Sequence, residues 1–382
     1  MPDLSLSPSP VIVIAPDSFK GSLSAEAVAQ AIAAGVLLAR PDAIVRCCPM
    51  ADGGEGTLDA MLAHGGQRRT LRVHGAALAA RDAAVGLLQD GSAVIETAEI
   101  VGITDEFAMR APVHARSTLG VGEAVRLLLD AGVRRFFVAL GGSSTNDGGA
   151  GFLAGLGLKL FDAAGRELDP TPQRLAELAR VDASGLDSRL AEATFIGMSD
   201  VDNPLTGEHG ATAVFGPQKG VKSDEVAQLD AVLARYAALV EAALARSACD
   251  LPGSGAAGGL GFALRLLGAQ LEPGAEVVAA QVALDAALDG ASWLITGEGR
   301  SDTQTLHGKA PFIACRHARA VGVPASLLSG AIDPDALARL SEHFRGAFSA
   351  APGPISLEAA IRDAARLLTN QAEQLTRLKY GA

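Results

Sequence analysis

Residues 11–15, VIVIA, form a run with no polar side chain, and PDSFKG follows at once. Four of the five side chains are β-branched and fit a strand, and an unbroken apolar run must be covered on both faces. Strands covered on both faces belong to the middle of a parallel sheet flanked by helices. The run therefore confines the chain to an α/β architecture. Pro16 stops the strand and leaves DSFKG at its carboxyl end. Residues 24–40 are Ala/Leu-rich with helical spacing and end before Pro41. A second strand is predicted over 43–48, then PMADGGEGT, then a short helix over 57–64. The last third repeats the pattern. It has strands over 292–296 and 324–328, a weaker one over 346–350, and a helix that follows GEGRSDTQTLHGK and runs to about residue 321. A long helix spans 356–378, with Ser356 as its N-cap. Two strands from the start and three from the end make one five-stranded, doubly wound parallel sheet.

The middle of the chain reads differently. Segments 83–88 and 92–97 flank Asp90-Gly91, a hairpin signal. Segment 158–161 with a return past Gly165 predicts a second hairpin. Further strands are predicted over 136–140, 194–198 and 212–215, and long helices over 118–130 and 224–248. This pattern predicts a mixed α+β domain, 71–289, inserted into a discontinuous α/β domain of 10–70 and 290–382. Residues 1–9, rich in Pro and Ser, form a flexible tail.

A chain of 382 residues has room for two domains, and 49% hydrophobic against 20% charged residues excludes a disordered chain. The net charge of −11 argues against a nucleic-acid partner, which needs a basic footprint. An acidic protein with an anionic substrate must instead gather its cations locally. No apolar stretch is long enough to span a membrane, and the N-terminus lacks the basic region of a signal peptide. The four cysteines, Cys47, Cys48, Cys249 and Cys315, form no C-x-x-C pair. They read as free thiols, which suits a reducing cytoplasm.

Six polar, glycine-rich loops adjoin the apolar elements: 17–21, 51–57, 141–151, 199–207, 253–261 and 296–309. Glycine lets backbone N–H groups approach an anion, although any one such loop also reads as a tight turn. In an open α/β sheet, ligands bind outside the carboxyl ends of the strands. Loops 17–21, 51–57 and 296–309 bring Asp17, Lys20, Asp52, Glu55, Glu298, Arg300, Asp302 and Lys309 to that rim. The other loops belong to the inserted domain, which places the site in an interdomain cleft. Residues 253–258 match G-x-G-x-x-G, but no strand precedes them, so the dinucleotide reading fails. A phosphate seat at a helix N-terminus and close packing against a neighbour both stay open there. P-loop, protein-kinase, G-x-S-x-G and H-E-x-x-H motifs are absent. The seven histidines are scattered, and His307 reads as a loop residue bonded to backbone. Asn146-Asp147 and Asp200 to Asn203 suit Mg²⁺, which takes one or two carboxylates plus phosphate oxygens. Three of the six lysines, Lys20, Lys219 and Lys309, adjoin or nearly adjoin a glycine, and a lysine point charge suits phosphate. For Lys219 a solvated position ahead of a helix is equally open. Together these are the parts of a phosphoryl-transfer site.

The segments APDSFKGSLSA (15–25), PMADGGEGT (49–57), ARSTLGVGEA (115–124), LGGSSTNDGGAG (140–151), SDVDNPLTG (199–207), FGPQKG (215–220), GSGAAGGLGFAL (253–264) and TGEGRSDTQTLHGK (296–309) resemble those of the bacterial type I glycerate kinases. The resemblance runs from about residue 11 to the C-terminus. It implies an ATP-dependent kinase of D-glycerate that uses Mg²⁺ and makes 2-phosphoglycerate. It also implies a flavodoxin-like domain interrupted by a mixed one. On chemical grounds the catalytic candidates are Lys20, Asp200 and Asp52. Ser18, Glu55, Arg116, Ser117 and Arg300 suit glycerate. Ser143, Ser144, Asn146, Gly255, Gly258, Glu298 and Lys309 suit the nucleotide phosphates, and Asp147 and Asp200 suit the metal. A kinase of another small hydroxy acid or sugar acid, and one that forms 3-phosphoglycerate, are the alternatives. A non-catalytic module that senses such an acid would not need Asp147, Asp200 and Asp202. Monomer and homodimer are both open.

Overall fold

The computed structural model describes residues 9–381, so the tail expected over 1–9 lies outside the described residues except for Ser9. The chain is α/β and divides into two compact units. One comprises the N-terminal residues to Asp52, Asp59–His64 and Ala275 onward; the other comprises Gly53–Leu58 and Gly65–Gly274.

The first unit holds a five-stranded sheet. Its order is Ala347–Ser349, Ala325–Ser329, Trp293–Thr296, Val11–Ile14, Ile44–Cys47, and all pairings are parallel. Ile12 lies between Trp293 and Val45 in register. Ile12, Val13 and Ile14 are fully buried, which is what the unbroken apolar run demands. Ser24 caps helix Ala25–Ala39 by accepting from the Ala27 amide. That helix packs on Ala364–Tyr380, where the Thr369 hydroxyl donates to the Ala31 carbonyl at 2.9 Å. The single helix expected over 356–378 is two, Leu357–Arg362 and Ala364–Tyr380. Asp363 sits between them at φ −101°, ψ 10° and accepts from Arg362 and Arg366. An aspartate competes for local donors and so favours helix ends over helix interiors. Ser356 caps the first helix through the Ala359 amide, as expected.

The second unit has a six-stranded mixed sheet in the order Gln270–Glu272, Thr194–Met198, Arg135–Ala139, Ala93–Glu96, Ala80–Leu87, Gln67–His74. The first four strands are parallel and the last two antiparallel. The hairpin around Asp90-Gly91 forms as read. Edge strand Gln67–His74 was not legible: it carries Arg68, Arg69 and Arg72 and buries little, so no alternation marks it. Segment 212–215 is not a strand but part of helix Ala211–Phe215. Gly210 opens that turn, and the Gly216 amide closes it on the Thr212 carbonyl at 3.0 Å. The second hairpin is shallower than expected. Phe161 and Glu167 form a single bridge, and Lys159–Phe161 pairs mainly with Arg180–Asp182. Phe136 stacks on Phe195 with centroids 5.0 Å apart, and Phe152 meets Phe195 edge-on. All four cysteines are free. No helix among the described residues is long and apolar enough to cross a membrane.

Candidate active site

The carboxyl ends of all five strands in the first unit converge on one cavity of about 460 Å³. After Val11–Ile14, the Ala15 amide donates to Ile295 and the Asp17 amide to Gly297, so pairing continues past the strand end and fixes the Asp17 backbone. After Ile44–Cys47, the Met50 amide bonds the Pro16 carbonyl and leads the chain to Asp52. After Trp293–Thr296 comes the loop with Glu298, Arg300 and Lys309. Arg300–Ser301 pairs in parallel with Ala331–Ile332, which ties this loop to the one after Ala325–Ser329. Gly330 lies so close to the Gly299 carbonyl that a side chain there would collide with it. Asp17, Ser18, Lys20, Asp52, Glu298, Arg300 and Lys309 all line the cavity.

Glu298 is held firmly. One carboxylate oxygen accepts from Ser301 at 3.0 Å and Thr305 at 2.6 Å, and the other faces Lys309 at 3.4 Å. Ser301 in turn meets the Ser329 hydroxyl at 2.8 Å. Asp17 is buried, and its carboxyl is pushed up to about 7. Burial is the main cause, followed by repulsion from Asp52. The Ser18 amide, at 2.6 Å, and Lys20 oppose the shift, and Glu298 adds to it. The site therefore sets a carboxyl that titrates near neutrality beside three cations: Lys20 and Arg300 are exposed, and Lys309 is half-buried. The sequence placed Asp17 on this rim without giving it a role. What singles it out is burial beside a second carboxylate, which only the fold reveals.

The remaining candidates lie in the second unit. Asp147 is fully buried, and its carboxylate accepts from the amides of Thr118, Gly149 and Gly151 and from the Thr118 hydroxyl. Asp147, expected as a metal ligand, has its carboxylate among these four donors. With its lone pairs turned to loop amides, it clamps loop 145–151 to the start of helix Leu119–Asp130. Arg116, expected to face glycerate, is also buried. It donates to the carbonyls of Ala111, Ser144, Lys219 and Met109, and these acceptors occupy its guanidinium. Ser117 lies beside Asp147 at 3.4 Å, and the Ser144 hydroxyl is taken by the Val101 carbonyl. Lys219 is buried, not solvated. Its ammonium donates to the Ser143 hydroxyl at 3.0 Å and the Thr145 carbonyl at 2.8 Å. Desolvation pulls it down to about 7, against the pull of Asp147 and with help from Arg116. The Asn146 amide donates to Thr212. The Gly255 amide is taken by the Asn203 carbonyl, and Gly258 abuts the backbone of Thr145 and Asn146. The close-packing reading of 253–258 has these contacts behind it. Glu55 is exposed, and Asp200, also exposed, accepts from the Gly274 amide at 3.2 Å. No cluster of three or more His, Cys, Asp or Glu able to hold a metal occurs among the described residues.

The model of the glycerate kinase family matches residues 12–379. The chain belongs to the glycerate kinase family. It is 41% identical to the glycerate kinase of Bacillus subtilis strain 168, across 95% of this chain and 96% of that relative. It is 39% identical to the glycerate 2-kinase of Escherichia coli K12, across 88% and 94%. A crystal structure described as that of a glycerate kinase 2 from Salmonella typhimurium LT2 superposes with a TM-score of 0.86. The two are 41% identical, and the match covers 98% of this chain and 99% of that one.

Proposed function

We propose that this member of the family transfers the γ-phosphoryl group of ATP to D-glycerate, forms 2-phosphoglycerate, and does so at the carboxyl rim of the five-stranded sheet. The observation that carries the site assignment is the convergence of Asp17, Asp52 and Glu298 with Lys20, Arg300 and Lys309 on one cavity. Phosphoryl transfer is mainly positioning and charge stabilisation, and this donor set suits both. Asp17 accepts the proton of the attacking hydroxyl, since a carboxyl titrating near 7 is matched to that task. Lys20 and Ser18 hold the glycerate carboxylate, with Arg300 completing the seat. Lys309, aimed by Glu298, meets the transferring phosphoryl group.

A divalent ion fits here, because Asp17 and Asp52 repel one another. Asp52 and Glu298 would hold Mg²⁺ together with phosphate oxygens, and when bound the ion neutralises the charge of the phosphates. The strand order supports a flavodoxin-like reading of the first unit. Numbered within that unit, it runs 2-1-3-4-5, and the cavity spans the switch point between Val11–Ile14 and Trp293–Thr296. The first unit draws on chain from both sides of Gly65–Gly274, which supports the reading of 71–289 as an inserted domain, with the boundaries falling near 65 and 274.

The test is ADP release with D-glycerate, ATP and Mg²⁺ together and with each omitted in turn, followed by phosphorus NMR of the product. ADP release without glycerate, or a 3-phosphate product, would overturn the corresponding part of the reading.

A further inference from the structure

The cavity is polar on one side only. Its other wall comes from the end of Ala347–Ser349 and from the C-terminal helices, and includes Ala350, Ala351, Leu357, Ala360, Ile361 and Ala364. No side chain among these six has a polar atom. Two of them are left in water: Leu357 is 76% exposed and Ile361 40%. Neither is needed by the core beneath, which is closed by Leu367 and Leu368. The wall is fixed in place, since the Ser22 hydroxyl donates to the Ile361 carbonyl at 3.0 Å and Ser356 caps the helix that carries Leu357.

Glycerate has no apolar face to offer this wall. ATP has the same division as the cavity, a flat ring at one end and anionic phosphates at the other. We propose that Leu357, Ala360 and Ile361 form the seat of the purine ring, with the phosphates running from it toward Lys309. The inference rests on the reading of this cavity as the kinase site and adds which end of it takes the base. Aliphatic side chains bind a ring by removing both surfaces from water, so the seat discriminates by shape and apolar area more than by hydrogen bonds.

The decisive variant is Leu357→Ser with Ile361→Ser, which alters two exposed side chains and leaves the core intact. Calorimetry without glycerate reads the binding of adenosine, ATP and inorganic tripolyphosphate, and turnover reads the two KM values. Loss of two aliphatic contacts should weaken adenosine and ATP binding by roughly tenfold. Tripolyphosphate binding, the KM for D-glycerate and the melting temperature should not move. Ala360→Trp should likewise weaken ATP without touching tripolyphosphate. Unchanged adenosine and ATP binding in the double variant overturns the proposal, as does a raised KM for glycerate with ATP unaffected. A change in sedimentation with unchanged adenosine binding assigns the wall to self-association and equally overturns it. Because the binding arms need no turnover, failure of the base seat is separable from failure of the kinase reading, which shows instead as absence of glycerate-dependent ADP.

Discussion

Asp17 illustrates how one residue's environment sets both chemistry and stability. Its folded carboxyl titrates near 7 against an ordinary value of 3.8, so the folded protein holds a proton that the unfolded chain has released. The stabilisation this gives is fully present below the unfolded value and is lost as pH rises through about 7. In metal-free buffer the melting temperature should therefore fall between pH 5 and pH 8 by more in the wild type than in Asp17→Asn, and differential scanning calorimetry at several pH values reads this. The same variant should lose ~10²–10⁴-fold in kcat, the usual cost of removing a general base. An Asp17→Asn enzyme with near-normal kcat would remove Asp17 from proton transfer. Asp147 predicts the reverse pattern. Each buried donor left unpaired costs ~1–3 kcal/mol, so Asp147→Asn should lower the urea midpoint markedly. The Mg²⁺ dependence of the enzyme that remains folded should stay the same. A raised Mg²⁺ requirement with unaltered stability would return Asp147 to metal ligation. The sequence alone could not separate these two aspartates, since both follow apolar strands and adjoin polar loops. What surrounds each carboxyl tells them apart: a second carboxylate beside Asp17, and three backbone amides around Asp147.

At the scale of elements, periodicity made the buried pieces legible and left the rest obscure. Val11–Ile14 was readable because a strand buried on both faces carries an unbroken apolar run, and Trp293–Thr296 and Ala325–Ser329 because each keeps a short, mainly apolar run. Gln67–His74 escaped because an edge strand rich in arginine shows no such run. Segment 212–215 misled for the opposite reason: four residues of moderate β-propensity are too few to distinguish a strand from one helical turn. Packing between helices is also invisible in sequence, and Gly35 is the clearest instance. A methyl group there would lie 2.8 Å from the Ala372 Cβ and closer still to the Thr369 carbonyl, which is backbone and cannot move aside. Glycine to alanine inside a helix ordinarily stabilises by up to ~1 kcal/mol. Overpacking costs ~1–3 kcal/mol, so the clash wins and Gly35→Ala should be net destabilising. Urea denaturation followed by circular dichroism checks the sign. A stabilised Gly35→Ala protein would mean that helices Ala25–Ala39 and Ala364–Tyr380 separate at no cost.

For the molecule as a whole, the chain's path makes its own prediction about folding. The second unit is nearly continuous, Gly65–Gly274 with Gly53–Leu58, and its aromatic cluster of Phe136, Phe152 and Phe195 is built wholly within it. The first unit, by contrast, needs strands from both ends of the sequence to complete one sheet. Residues 53–274 expressed alone should therefore unfold in a single cooperative urea transition, whereas residues 275–382, lacking the central Val11–Ile14 strand, should not fold. The short segment 53–58 has a measurable share in this. The buried Glu96 carboxylate accepts from the Gly56 amide at 3.2 Å and the Leu58 amide at 2.9 Å, and the Gly53 carbonyl accepts from Gly141 at 2.9 Å. Hydrogen bonds to a charged group contribute ~1.5–3 kcal/mol each, so a fragment of 65–274 should still fold but with a midpoint well below that of 53–274. Glu96→Gln in the shorter fragment should recover part of that loss, since it keeps an acceptor and removes the buried charge left without the Gly56 and Leu58 donors. Equal midpoints for the two fragments would show that the loop carrying Glu55 contributes nothing to the second unit. A broad, non-cooperative transition in both would show that this unit depends on the rest of the chain.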